Sequence, residues 1–289
     1  MMKTLILSSF AALSATASFA ETTYVNGSAS FTKLSYAGDS IEVFALGTEF
    51  EQSIGNSVVG ASFSNSTVDG DDYSTASVYG EYAISNGLRI VGSYGIDFSN
   101  GESTDTDYAL GLEYDYNNYT FGVVHGVTES DGVSYAANLV FASYEKDNYE
   151  ASLFFAVDED DATATGVTVG FETDLFEIDG AYLTASDDTG DLSIYLISGD
   201  YKLSETFKVG GVYSYLTADG DVTIAALTAG YEVYENVWLE GSMGQISDGE
   251  DTIDTLGISL TYEFGNKGSQ ARQAEQAIQD TIGDNLWLR

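Results

Sequence analysis

The stretch Asp254–Phe264 limits what this chain can fold into more than any other. Leu256, Ile258, Leu260, Tyr262 and Phe264 share one parity, and Gly257, Ser259, Thr261 and Glu263 share the other. Strict alternation over this length makes a strand with one apolar and one polar face. About nine to eleven such residues, tilted, cross a bilayer. The apolar face ends in aromatics, where a membrane-spanning strand meets the interface. The chain between Tyr24 and Phe264 reads as sixteen variations on this strand.

Most connections between these segments are shorter than eight residues, so sequence neighbours pair as antiparallel hairpins. Two kinds of connection alternate. One is tight, as at Ser85-Asn86, Asn117-Asn118 and Tyr234-Glu235-Asn236. The other is longer and rich in Asp and Gly, as at Asn65–Asp72, Ser99–Asp105 and Ser247–Asp254. Outer-membrane barrels alternate short periplasmic turns with longer external loops in this way. An even strand count places both ends of the barrel on the periplasmic side.

Composition agrees with this pattern. Proline and cysteine are both absent from the 289 residues, whereas Gly (31) and Tyr (21) are abundant. Each proline would remove a ladder donor from a sheet. Without cysteine there is no disulfide, thiolate metal site or thiol nucleophile. Residues 1–20 read as a signal peptide: Lys3, then an apolar run over Leu5–Ala17, then Ser18-Phe19-Ala20 with small residues at the cleavage positions. No run of eighteen apolar residues marks a transmembrane helix.

A hairpin-length repeat carries acids. Even-numbered strands end with a small residue, an acid and an aromatic, as in Gly80-Glu81-Tyr82 and Thr261-Tyr262-Glu263-Phe264. Glu49, Glu81 and Glu113 are 32 residues apart, and Asp200, Glu232 and Glu263 are 32 and 31 apart. With Glu172 they form a series of seven acids on the inward parity, near the periplasmic mouth. Such a ring concentrates cations and rejects anions, or it serves only to keep the interior polar. Arg89 and Lys208 share that parity and are placed to pair with the ring.

Strand parity also assigns an outward apolar set. It includes Ala76, Val78, Tyr82 and Ile84, then Leu110, Leu112 and Tyr114, then Tyr135, Ala137, Leu139 and Phe141. The opposite parity is mostly small or polar, which implies a wet interior. Three places break the pattern: a parity shift between Val43 and Leu46, the inward Leu192, Ile194 and Leu196, and the outward Glu145.

The whole chain carries 9 Lys and Arg against 46 Asp and Glu, a formal net charge of −37. Nucleic acid is therefore excluded as a partner. A second acidic set, including Asp69, Asp71, Asp72, Asp158, Asp248, Glu250 and Asp251, falls in the external loops. It fits no EF-hand spacing and suits a diffuse atmosphere of divalent ions bridging lipopolysaccharide. The sole histidine, His125, has no nucleophile motif beside it and cannot make a metal cluster alone. The sequence implies no enzyme and no cofactor.

The signal peptide, the alternating strands and the aromatic-ended strand 254–264 together resemble the sixteen-stranded general porins of Gram-negative bacteria, in particular the acidic alphaproteobacterial kind. The resemblance covers roughly residues 21–264. It implies passive diffusion of small hydrophilic solutes, an outer-membrane location among lipids and lipopolysaccharide, and a homotrimer. Two features depart from that family. The segment Ser99–Asp105 is too short to fold into the barrel as a constriction, and the chain continues past Phe264. The expected fold is an all-β, antiparallel up-and-down transmembrane barrel of about 16 strands at 21–264, with a C-terminal tail at 265–289. Ala271, Ala274, Ala277, Ile278 and Ile282 give that tail weak helical spacing. The expected activity is cation-preferring diffusion. A structural or surface-interaction barrel closed by its tail is the alternative.

Overall fold

The computed structural model describes residues 23–265 except 131, 160, 188, 189 and 219. The signal peptide at 1–20 and all of the tail beyond Gly265 lie outside the described residues, as do Asp160 and Asp188. Sixteen strands follow one another: β1 (Thr23–Tyr36), β2 (Asp39–Ile54), β3 (Ser57–Val68), β4 (Asp71–Ser85), β5 (Leu88–Ser99), β6 (Glu102–Tyr116), β7 (Tyr119–Ser130) and β8 (Val133–Lys146). The second half comprises β9 (Tyr149–Asp158), β10 (Thr163–Glu172), β11 (Phe176–Asp187), β12 (Gly190–Ser204), β13 (Phe207–Thr217), β14 (Asp221–Tyr234), β15 (Val237–Ser247) and β16 (Thr252–Phe264).

Each strand pairs antiparallel with its sequence neighbours, and β1 pairs with β16 from Val25↔Phe264 to Ser35↔Asp254. The sheet therefore closes into an up-and-down barrel and leaves no free edge. Thr23 and Phe264 lie at one end, called here the near end; the opposite end is the far end.

Most far-end connections are tighter than their composition suggests. The Asp- and Gly-rich segment 65–72 is almost entirely strand, because β3 runs to Val68 and β4 starts at Asp71. Asp69-Gly70 and Asn100-Gly101 make two-residue turns, with φ of 51° and 98° in the first and 51° and 84° in the second. Two consecutive positive φ values are what a type I′ hairpin needs, and Asp-Gly and Asn-Gly supply them at low cost. Asp71 and Asp72 thus belong to a strand.

Register corrects the sequence-based expectations for β2 and β8 and agrees with the one for β12. No parity shift exists in β2, which pairs with β1 without interruption from Tyr36↔Asp39 to Thr23↔Gln52. In β8 the parity is the reverse of that expected. Phe141 is the partner of Gly122 and Phe154, and Leu139 is the partner of Val124 and Ala156, so Tyr135, Ala137, Leu139 and Phe141 face the interior. Glu145 then faces inward as well. In β12, Leu192, Ile194 and Leu196 share the inward parity with Asp200, without a bulge.

Candidate functional site

The interior wall of the barrel is the part of the fold whose side chains depart most from structural necessity. All seven acids of the repeat take the inward parity there, but they do not form an even ring. They fall into separate groups near the near end.

One group centres on Arg89, the second residue of β5. Its guanidinium lies 2.9 Å from Glu113, 2.9 Å from Asp115 and 3.6 Å from Glu81. Register brings these together, since Arg89 is opposite Glu113 on β6 and opposite Ala83, two residues from Glu81, on β4. The Glu113 side chain is completely buried. Thr120 donates a hydroxyl hydrogen bond to Asp115 at 2.8 Å. Three carboxylates thus surround one cation.

A second group centres on Lys208. Its Nζ lies 2.8 Å from Asp200 and 2.7 Å from Glu240, and 5.1 Å from the Trp238 ring centroid. Charge and ring quadrupole both favour the ammonium there. In a third group the Tyr79 hydroxyl donates to Glu51 at 2.8 Å and lies 3.5 Å from Glu49. The Tyr79 ring covers Gly60, where an added Cβ would collide with it. Glu232 is turned back on its own hairpin and accepts the Asn236 backbone N–H at 2.8 Å.

Glu172, Asp200 and Glu263 share a near-end cavity of about 670 Å³ with Glu177, Lys202, Lys208 and Trp238. Arg89, Lys202 and Lys208 are the inward-facing cations among the described residues. Sequence reasoning missed Glu51, Asp115, Glu150, Glu177, Asp179 and Glu240. The period of two within a strand was the signal for Glu51, beside Glu49, and for Asp115, beside Glu113. Glu150, Glu177, Asp179 and Glu240 lie on β9, β11 and β15, where no inward acid or cation had been identified, and register places them inside.

The wall of β8–β12 is layered. From far end to near end, the inward residues of β8 are Leu139, Phe141, Ser143 and Glu145; those of β9 are Ala156, Phe154, Ser152 and Glu150. On β11 the order is Leu183, Ala181 and Asp179, and on β12 it is Ile194, Leu196, Ser198 and Asp200. Register aligns the apolar members into one row, Phe141–Phe154–Gly166–Leu183–Ile194–Leu216. Phe141, Phe154, Leu183 and Ile194 are buried against one another, and Val124, Leu139, Leu192 and Leu216 pack half-exposed around them. Glycine makes this possible. The Phe141 ring lies over Gly122 and the Phe154 ring over Gly166, each where a Cβ would stand.

The outer face is apolar and exposed, with Val78, Leu110, Leu112, Leu227, Met243 and Leu256 among its residues. Tyr82, Tyr114, Tyr116, Tyr119, Tyr149, Tyr201 and Tyr231 add exposed rings toward the near end. His125 also faces outward, its Nδ1 3.0 Å from the Asn138 side-chain oxygen. Among the described residues no group of His, Cys, Asp and Glu is arranged to hold a metal ion. At the far end, between β15 and β16, Asp248 accepts backbone N–H groups from Asp251 at 2.7 Å and Glu250 at 3.0 Å. These bonds favour the ionised form and hold its carboxyl below the usual carboxylate range.

No family model and no curated protein matches the chain. Solved structures do. OccK3 (OpdO) of Pseudomonas aeruginosa aligns with a TM-score of 0.56 at 12% identity, over 85% of this chain and 96% of that one. OccK1 (OpdK) of the same organism aligns with 0.55 at 11%, over 84% and 98%. A mutant of the Rh. blastica porin aligns with 0.52 at 13%, over 84% and 100%. At such identity the likeness is one of fold: the chain is similar in architecture to porin barrels over nearly their whole length.

Proposed function

We propose that this protein is an outer-membrane channel through which small hydrophilic solutes diffuse passively, with a preference for cations. The near end is periplasmic and the far end external in this reading. The observation that carries it is the charge of the inner wall: many inward carboxylates against Arg89, Lys202 and Lys208 among the described residues. Mobile cations must balance that excess in a water-filled lumen, so their local concentration rises. The apolar, tyrosine-rimmed exterior supports a bilayer setting, and the porin-like fold supports a channel. Contact with lipopolysaccharide through the acidic far end, and assembly as a homotrimer, belong to the same reading. Chemical cross-linking in membranes that yields only monomer would remove the trimer.

Arg89 and Lys208 offset part of the charge of the acids around them, whereas Glu172, Glu177 and Glu263 line the near-end cavity and are the ones expected to act on permeating ions there. Replacing all three by Gln should lower the cation-over-anion permeability ratio roughly two- to threefold in planar bilayers. An unchanged ratio would show that these carboxylates do not act on the permeating ions.

A further inference from the structure

The layered wall of β8–β12 has a use that a diffusion path for hydrophilic solutes does not require. A wet lumen is served by small polar residues. Here Leu139, Leu192, Leu196 and Leu216 present half-exposed apolar surface to the interior around a buried cluster. The acids Glu145, Glu150, Asp179 and Asp200 lie on the same strands, toward the near end. On β12 the inward order Leu192, Ile194, Leu196, Ser198, Asp200 places carboxylate and apolar surface four residues apart from Leu196 to Asp200. At about 3.3 Å per residue that separation is about 13 Å between backbones, and the side chains shorten it. Apolar surface and negative charge are thus within reach of one elongated molecule lying along one wall.

We propose that this wall is a binding track for organic ammonium ions carrying an alkyl chain. The chain lies on the leucine surface and the ammonium sits at the row Glu145–Glu150–Gly170–Asp179, which register aligns across β8–β11. Charge complementarity fixes the occupant as a cation, and the apolar layer distinguishes it from inorganic cations and hydroxylated amines. Apolar burial gives the affinity, and the acids set the orientation. This inference rests on the channel reading above.

The test uses potassium current through the full-length protein in planar bilayers, with hexylammonium and ethanolammonium as probes. Hexylammonium should block at a concentration roughly tenfold lower than ethanolammonium, the factor that about 50 Å² of apolar contact is worth. Leu196→Ser should bring the two amines together, whereas Leu139→Ser, six residues or about 20 Å from Glu145 along β8, should leave the gap unchanged. Glu150→Gln with Asp179→Asn should weaken block by both. Equal block by the two amines, or a gap unmoved by Leu196→Ser, would overturn the proposal while leaving the channel standing. Absence of any cation-preferring current would overturn both.

Discussion

Arg89 shows what single residues contribute here. It is the one cation beside Glu81, Glu113 and Asp115 among the described residues, and Glu113 has no solvent-exposed side-chain surface. Removing one partner of a buried ion pair leaves an uncompensated charge, which costs about 3–5 kcal/mol. Arg89→Met should therefore lower stability to urea by an amount near the low end of that range, because the guanidinium is itself partly exposed. The double variant Arg89→Met with Glu113→Gln should recover part of the loss, since the most deeply buried of the orphaned charges is gone while Glu81 and Asp115 remain. Equal instability of the single and double variants would mean that Arg89 acts by packing alone. The sequence placed Arg89 to pair with the inward acids, but which acids it meets was not legible, because the partners lie on three strands and come together only once register is fixed.

The strand is where the sequence and the barrel correspond most closely, and β8 is where they part. Asp254–Phe264 has an unambiguous polar face, so its inward set is legible without a structure. In β8 both faces are apolar: Tyr135, Leu139 and Phe141 on one, Val140, Ala142 and Tyr144 on the other. Alternation then carries no information, and pairing decides. Glu145 was the clue, since an acid at that place suits the interior. The same ambiguity attends β12, where Leu192, Ile194 and Leu196 compete with Tyr195, Ile197 and Tyr201. What allows large apolar residues inside is glycine on the neighbouring strands. Gly166→Ala or Gly122→Ala would push a methyl group into the Phe154 or Phe141 ring, and overpacking of this kind costs about 1–3 kcal/mol. Gly241→Ala has no atom within 4 Å of the new methyl and should be near neutral in the same urea titration. Loss of stability at Gly241 but not at Gly166 would contradict this account of the wall. The far-end turns were legible in principle, since Asp69-Gly70 and Asn100-Gly101 are hairpin dipeptides, but their acidity disguised them as loops.

For the whole molecule, closure and charge act together. Pairing of β1 with β16 removes every edge and makes an inside, and strand parity then sends most carboxylates of the strands into it. The two-residue turn between β5 and β6 does not leave a uniform tube. Ion-paired groups at Arg89 and Lys208, Tyr79 over Gly60, and the apolar layer of β8–β12 give each sector of the wall its own chemistry. Strand number and closure followed from alternation and from the short connections between strands. The layered wall did not, because it exists only as a juxtaposition of five strands. The central claim is that the excess negative charge of this wall governs what passes. The most direct test is the zero-current potential of the purified protein in a planar bilayer under a potassium chloride gradient. Our account predicts a potential toward the potassium equilibrium value, falling as the salt is raised and the wall charges are screened. A potential toward the chloride value, or a membrane that stays non-conducting, would contradict it.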